Sequence, residues 1–188
     1  ETYKNSLDKY FTDLGLNKNN FFTDVSNYLS YETGQPTHCY DASKMGGKFV
    51  FHEINKNEEF ETLLDKKITL SGKNSVFSLN DNIINLAGIV GGKSTSCSTN
   101  TKTVIIECAF FQPEAIIGKS IKYDIQSEAS HKFERGVDPE CHDRVLRRFI
   151  KLVSEHANIK DMSIISYKSK DNPITQMPVN VGKINQII

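Results

Sequence analysis

The carboxylate of Glu107 is the least ordinary feature of this sequence. It closes the apolar run Val104-Ile105-Ile106, where burying an ionised carboxyl without a partner is costly. Two readings follow. Glu107 faces solvent at a strand end, or it is buried and needs donors or a ligand. His38 stands alone between a proline turn at Pro36 and the aromatic Tyr40. Its imidazole can donate or accept according to tautomer, so it either satisfies a backbone carbonyl or acts on a ligand. A third stretch, Ser127-Glu128-Ala129-Ser130-His131-Lys132-Phe133-Glu134-Arg135-Gly136-Val137-Asp138-Pro139, carries more functional residue types than a core requires. Its cations Lys132 and Arg135, with His131, could meet phosphates. Arg135 could equally pair with Glu134 or Asp138 and fix a turn.

One motif is a decoy. Ala87-Gly88-Ile89-Val90-Gly91-Gly92-Lys93-Ser94 matches a relaxed phosphate-loop pattern, which requires a strand, the loop and then a helix. A strand is expected at Ile83–Leu86, but Ser94 to Thr101 is a poor helix sequence and a new strand begins near Thr103. The space is too short for a crossover helix. The expected structure is a glycine-rich turn where backbone passes close to a neighbour.

Other elements must position these groups. Leu7, Tyr10, Phe11 and Leu14 recur at helical spacing before Gly15, and a second helix is expected from Thr23-Asp24 to Gly34. Short β-type runs follow at Phe49-Val50-Phe51 with Ile54, Ile68–Leu70, Val76–Leu79, Ile83–Leu86 and Val104–Ile106. Several lack alternation, which predicts burial on both faces. A short helix is expected at Pro113–Gly118. A long one is expected after Asp138-Pro139, with Asp138 as N-cap and Val145, Leu146, Phe149, Leu152 and Val153 as its buried face. Strands are expected at Met162–Tyr167 and near Val179–Val181. The class is α+β, a mixed or antiparallel sheet core with flanking helices in two tightly joined subdomains.

Composition narrows the function. The chain has 188 residues with 23 basic and 23 acidic side chains. Zero formal charge argues against holding nucleic acid by charge alone. No apolar run reaches the roughly 20 residues that span a bilayer, so no membrane partner is expected. The cysteines Cys39, Cys97, Cys108 and Cys141 form no C-x-x-C pair. That argues against a zinc site and predicts reduced thiols in a cytoplasmic protein. The chain begins at Glu1 and stops within an apparent element. It reads as a piece of a longer protein, with a domain at 1–170 and a linker and the start of another at 171–188.

Taken together, Asp24-Val25-Ser26-Asn27-Tyr28, Gly34-Gln35-Pro36-Thr37-His38, Ala87–Gly92, Glu107-Cys108-Ala109-Phe110-Phe111 and Ala129–Pro139 resemble the editing domain of the β subunit of bacterial-type phenylalanyl-tRNA synthetase. The resemblance runs from about Asp8 to Ala157. It implies hydrolysis of tyrosine wrongly esterified to the phenylalanine tRNA. It implies that His38 and Glu107 read the tyrosine hydroxyl and that Gly91 and Ala129 form a small-residue wall. Ser127 stands where the family has Thr, and Cys39-Tyr40 where it more often has Ala-Phe. The implied partners are the tRNA and the α subunit of an α2β2 parent enzyme. ATP and Mg²⁺ would serve that parent's synthetic site, with no cofactor or metal in this chain.

The chemistry suits those residues. A hydrophobic pocket rejects an isostere bearing one extra hydroxyl by only about a hundredfold, and synthetases answer with a second, hydrolytic sieve. Such a sieve needs buried polar groups left unpaired against phenylalanine, at about 1–3 kcal/mol each. No G-x-S-x-G nucleophile signature is present. Water attack assisted by backbone N–H groups and the terminal ribose hydroxyl is therefore expected, with His38 and Ser127 as candidate catalytic groups. Two competing classes are a non-catalytic tRNA- or domain-binding scaffold with a decayed pocket, and a nucleotide-binding protein using Gly92-Lys93-Ser94.

Overall fold

The computed structural model describes residues 2–167 and 176–186. The elements of the first compact unit, Glu1–Asn158, run in the order α1 (Asn5–Asp13), α2 (Phe21–Thr33), β1 (His38–Asp41), β2 (Phe49–Asn55), β3 (Glu58–Glu61), β4 (Lys67–Leu70), β5 (Lys73–Leu79), β6 (Asn82–Leu86), β7 (Val90–Gly91), β8 (Val104–Glu107), α3 (Pro113–Ile116), α4 (Lys119–Tyr123), α5 (Glu128–Phe133) and α6 (His142–His156). All ladders among the described residues are antiparallel: β1 with β8, β3 with β4, and a four-stranded sheet in the order β2-β5-β6-β7. The class is α+β, as expected.

Two cores fill this unit. One gathers Tyr40, Leu70, Val76, Leu86, Ile116 and Ile125 between the ladders and the short helices. The other gathers Leu7, Val25, Leu29, Val145, Phe149 and Leu152 between α1, α2 and α6. The ribbon of β1 and β8 separates them, because side chains alternate across a strand. Tyr40 enters the first core, whereas Cys39 and its register partner Ile106 face the second.

Local chemistry explains the helix ends. Asn20 caps α2 by accepting from the Thr23 N–H, and Gly34 closes it with φ of 78°, a conformation that glycine adopts without the Cβ penalty. The helix therefore starts at Phe21, two residues before the expected Thr23. The expected helix at Pro113–Gly118 ends instead at Ile116, and α4 follows after Gly118.

Other expectations are corrected. Asp138 does not cap α6: its carboxylate accepts from the Glu140 N–H, making a separate turn, and the helix starts at His142 after Cys141. The β2 strand is not buried on both faces, since Phe49 and Phe51 lie open on one side. The second unit spans Ile159–Ile188. In it, Met162–Tyr167 forms no strand and its side chains are exposed. Val181 opens a helix, α7 (Val181–Asn185), where a strand end was expected, because the Asn180 side chain accepts from the Lys183 N–H and caps it. The expected boundary at 170/171 lies outside the described residues.

Candidate functional site

The β1–β8 ladder sets His38 directly opposite Glu107, so the two side chains leave the same face of the ribbon. Tyr40, two residues along β1, shares that face. The ladder is anchored from both directions. Ser26 of α2 donates to the Thr37 carbonyl at 2.6 Å. Buried Gln35 donates to the Ala109 carbonyl at 2.8 Å, just beyond β8, and accepts from the Cys141 thiol at 3.3 Å.

Glu107 is half-buried and partnered on one oxygen. The Tyr40 hydroxyl donates to Glu107 Oε2 at 2.6 Å, and Asn85 Nδ2 reaches the same oxygen at 3.3 Å and the Tyr40 hydroxyl at 2.7 Å. No donor among the described residues serves Oε1. Burial lifts the carboxyl from 4.5 to about 7, opposed by the Tyr40 hydrogen bond. The carboxyl is thus fixed in a polar chain with Tyr40 and Asn85, where burial favours its protonated form.

His38 lies edge-on to Tyr40, ring centroids 4.5 Å apart. Its Nε2 is buried with no hydrogen-bond partner among the described residues. Burial pushes the imidazole down to about 4, so it is neutral at pH 7. Gly91 is what lets it sit there. A Cβ on Gly91 would lie 2.2 Å from His38 Cε1, 2.6 Å from Nε2 and 2.9 Å from Leu63 Cδ2. The space that this glycine leaves is filled by the imidazole.

The other expected residues lie on and beside α5. Ser127 caps α5, accepting from the Ser130 N–H and donating to the Ile89 carbonyl at 2.6 Å. Its hydroxyl proton is thus engaged in tying α5 to the turn before Gly91. Ala129, on the first turn of α5, packs against the first core. Lys132 turns away from a free surface: its ammonium donates to the Ser30 carbonyl and hydroxyl at 2.7 and 2.8 Å. Arg135 pairs with Glu134 at 2.6 Å and donates to the His131 carbonyl, the turn-fixing alternative.

The phosphate-loop reading is excluded. Gly92-Lys93-Ser94 runs into a single 3₁₀ turn, Lys93–Thr95, and the Lys93 ammonium is held by Asp65 at 2.5 Å and Glu61 at 3.5 Å. Among the described residues no cluster of three or more His, Cys, Asp or Glu is placed to hold a metal ion, and no helix is long and apolar enough to cross a membrane. The four cysteines are free thiols.

Two members of the site escape sequence reasoning, Tyr40 and Asn85. The signal for Tyr40 was its two-residue spacing from His38, which on a strand means a shared face. For Asn85 it was a lone amide inside the apolar run Ile83–Leu86, where a buried amide must find partners.

Phenylalanine–tRNA ligase beta subunits are similar along most of the chain. That of Francisella tularensis is 32% identical over 176 residues, covering 93% of this chain and 22% of the relative. That of Methylococcus capsulatus is 37% identical over 134 residues, covering 71% and 17%, and that of Shewanella oneidensis is 35% identical over 147 residues, covering 78% and 18%. The chain thus spans about a fifth of the length of these relatives. A model of the B3/4 domain matches residues 2–158, the interval that holds both cores and every residue of the site, and the chain belongs to the B3/4 domain family.

Proposed function

We propose that this chain is the editing segment of a phenylalanine–tRNA ligase β subunit, in which Glu107 and His38 read the hydroxyl of a tyrosine wrongly esterified to the tRNA. The observation that carries the reading is the register pair on one face of the ribbon, His38 with a buried Nε2 that has no partner among the described residues and Glu107 with both its protein donors on Oε2. An ionised Oε1 accepts from a phenol O–H, a charge-assisted bond that phenylalanine cannot replace. The likeness to ligase β subunits supports the same reading. In the proposed reaction, water adds to the ester carbonyl, the bond to the ribose oxygen breaks, and that oxygen takes a proton. Tyrosine and an intact tRNA end are released. Ala129 and the α5 cap at Ser127 would shape the wall of the site. The partner α subunit, its ATP and Mg²⁺, and a cytoplasmic setting belong to the same proposal.

One observation favours the scaffold reading instead. A phenol of the protein itself, that of Tyr40, already occupies Glu107 Oε2, and His38 Nε2 is buried against Gly91. The test is hydrolysis of tyrosyl- and phenylalanyl-tRNA by the whole ligase carrying this chain, wild type against Glu107→Ala. The editing reading expects faster loss of the tyrosyl ester and a roughly ten- to hundredfold fall in that preference in the variant, the worth of a hydrogen bond to a charged group. Two esters equally untouched by the wild type would establish the scaffold.

The carboxyl also predicts a pH signature. Its folded value of about 7 exceeds the ordinary 4.5. The folded state therefore keeps a proton that the unfolded state has released, and stability falls as pH rises from 4.5 through 7. His38 acts oppositely: held down to about 4, it adds stability above its ordinary 6.5 and loses it as pH falls through 4. The difference between wild type and Glu107→Gln isolates the carboxyl. Denaturant melts across pH 4 to 8 should show the variant gaining on the wild type through that window. Parallel curves would mean that Glu107 titrates normally.

A further inference from the structure

We infer that Tyr40 is a positioning residue that commits one oxygen of Glu107 to the protein and leaves the other for a ligand hydroxyl. The inference rests on the reading of Glu107 as the group that recognises the hydroxyl. Tyr40 is fully buried, with its ring fixed edge-on between His38 at 4.5 Å and Phe49 at 5.5 Å. Its hydroxyl cannot swing away to make room for a second phenol. Asn85, itself buried, donates to that hydroxyl, so the hydroxyl's own proton is directed to Glu107 Oε2. Oε2 also receives Asn85 at 3.3 Å. Two donors fill the lone pairs of one carboxylate oxygen.

The consequence concerns where the carboxyl proton goes. With Oε2 filled, a proton taken up by Glu107 sits on Oε1. A ligand therefore meets an acceptor when the carboxyl is ionised and an O–H donor when it is not. The titratable groups around Glu107 are His38 and Tyr40 on β1 and the thiols of Cys39 and Cys108. Burial holds His38 down, and raises Tyr40 and both thiols, Cys108 to about 12. All four are uncharged near pH 7, so the switch belongs to Glu107. Tyr40 sets its geometry and also favours the ionised form.

Tyr40→Phe in the whole ligase tests this, with Glu107→Ala beside it. The variant keeps the ring and removes the donor. The Glu107 carboxyl carbon, followed by ¹³C NMR, should titrate higher than in the wild type. The preference for the tyrosyl over the phenylalanyl ester should fall by about two- to tenfold near pH 7, the worth of one hydrogen bond, and recover part of the loss at higher pH. A carboxyl midpoint that does not move, or a preference that rises because a competing phenol has gone, overturns the inference. If Glu107→Ala removes the preference while Tyr40→Phe changes nothing, Tyr40 loses its role and Glu107 keeps its own. If Glu107→Ala is itself silent, the reading beneath the inference falls and takes it along. A measurement on the wild type guards against a variant that does not fold: the Tyr40 Cζ resonance should follow the Glu107 titration with the same midpoint, and an invariant resonance overturns the contact.

Discussion

Valine at position 91 should abolish any discrimination that His38 makes and destabilise the fold by about 1–3 kcal/mol, the usual cost of overpacking a filled core position. The glycine's φ is not in the left-handed region, so the effect is steric alone. The first added carbon falls 2.2 Å from His38 Cε1 and 2.6 Å from Nε2, well inside contact distance. An imidazole is rigid and cannot yield at a flexible tip. It must leave its edge contact with Tyr40, and the β1 backbone must follow or the ring must rotate into solvent. In a domain of this size that cost corresponds to a fall in Tm of roughly 2–12 °C. A double-mutant cycle separates the two consequences. Gly91→Val in a His38→Ala background should recover most of the stability, because the colliding ring is gone, but none of the discrimination. Equal destabilisation in both backgrounds would place the collision elsewhere, at Leu63 or in the β6–β7 ladder.

The same position shows how far residue types alone reach. Gly91 read from sequence makes room for a substrate ring; in the fold it makes room for the protein's own imidazole. That difference depends on His38 and Gly91 meeting across 53 positions of chain, which no local pattern encodes. The β1 strand was missed for a related reason. Pro36-Thr37-His38-Cys39-Tyr40-Asp41 has no apolar run or clean alternation, and it is a strand only because β8 and α2 hold it as one. Glu107 and His38 were singled out by chemistry, an acid ending an apolar run and a lone imidazole. Their direct juxtaposition came from a ladder register that propensity does not supply. The long helix α6 was legible from its apolar stripe. Its start was not, because Asp138-Pro139 reads as a cap and proves to be a turn of its own. Met162–Tyr167 has the composition of a strand but no ladder among the described residues, and composition without a partner makes no sheet.

Alanine at position 24 should cost about 2–4 kcal/mol and weaken the site from a distance. Asp24 is fully buried in the first turn of α2. Its carboxylate accepts from the Tyr3 hydroxyl at 2.6 Å, from the Asn19 N–H at 3.0 and 3.2 Å and from the Asn19 side chain at 3.4 Å. Removing it takes away the acceptor that the buried Tyr3 hydroxyl shares with the exposed Asn19, a charged-acceptor contact worth about 1.5–3 kcal/mol, and opens a small void beside the second core. Asparagine keeps one acceptor oxygen and should cost distinctly less. The functional link runs through α2, which supports the start of β1: Ser26 donates to the Thr37 carbonyl, and the Cys39 thiol points at the Phe22 carbonyl at 3.6 Å. A loosened α2 lets His38 drift from its register with Glu107. Discrimination in Asp24→Ala should therefore match the wild type in the cold and fall away well below the wild-type Tm, whereas loss in Glu107→Ala should hold at every temperature. If Asp24→Ala costs no more than Asp24→Asn, the carboxylate is not what fastens the N-terminal segment to α2, and the route from Tyr3 through α2 to the ribbon is wrong.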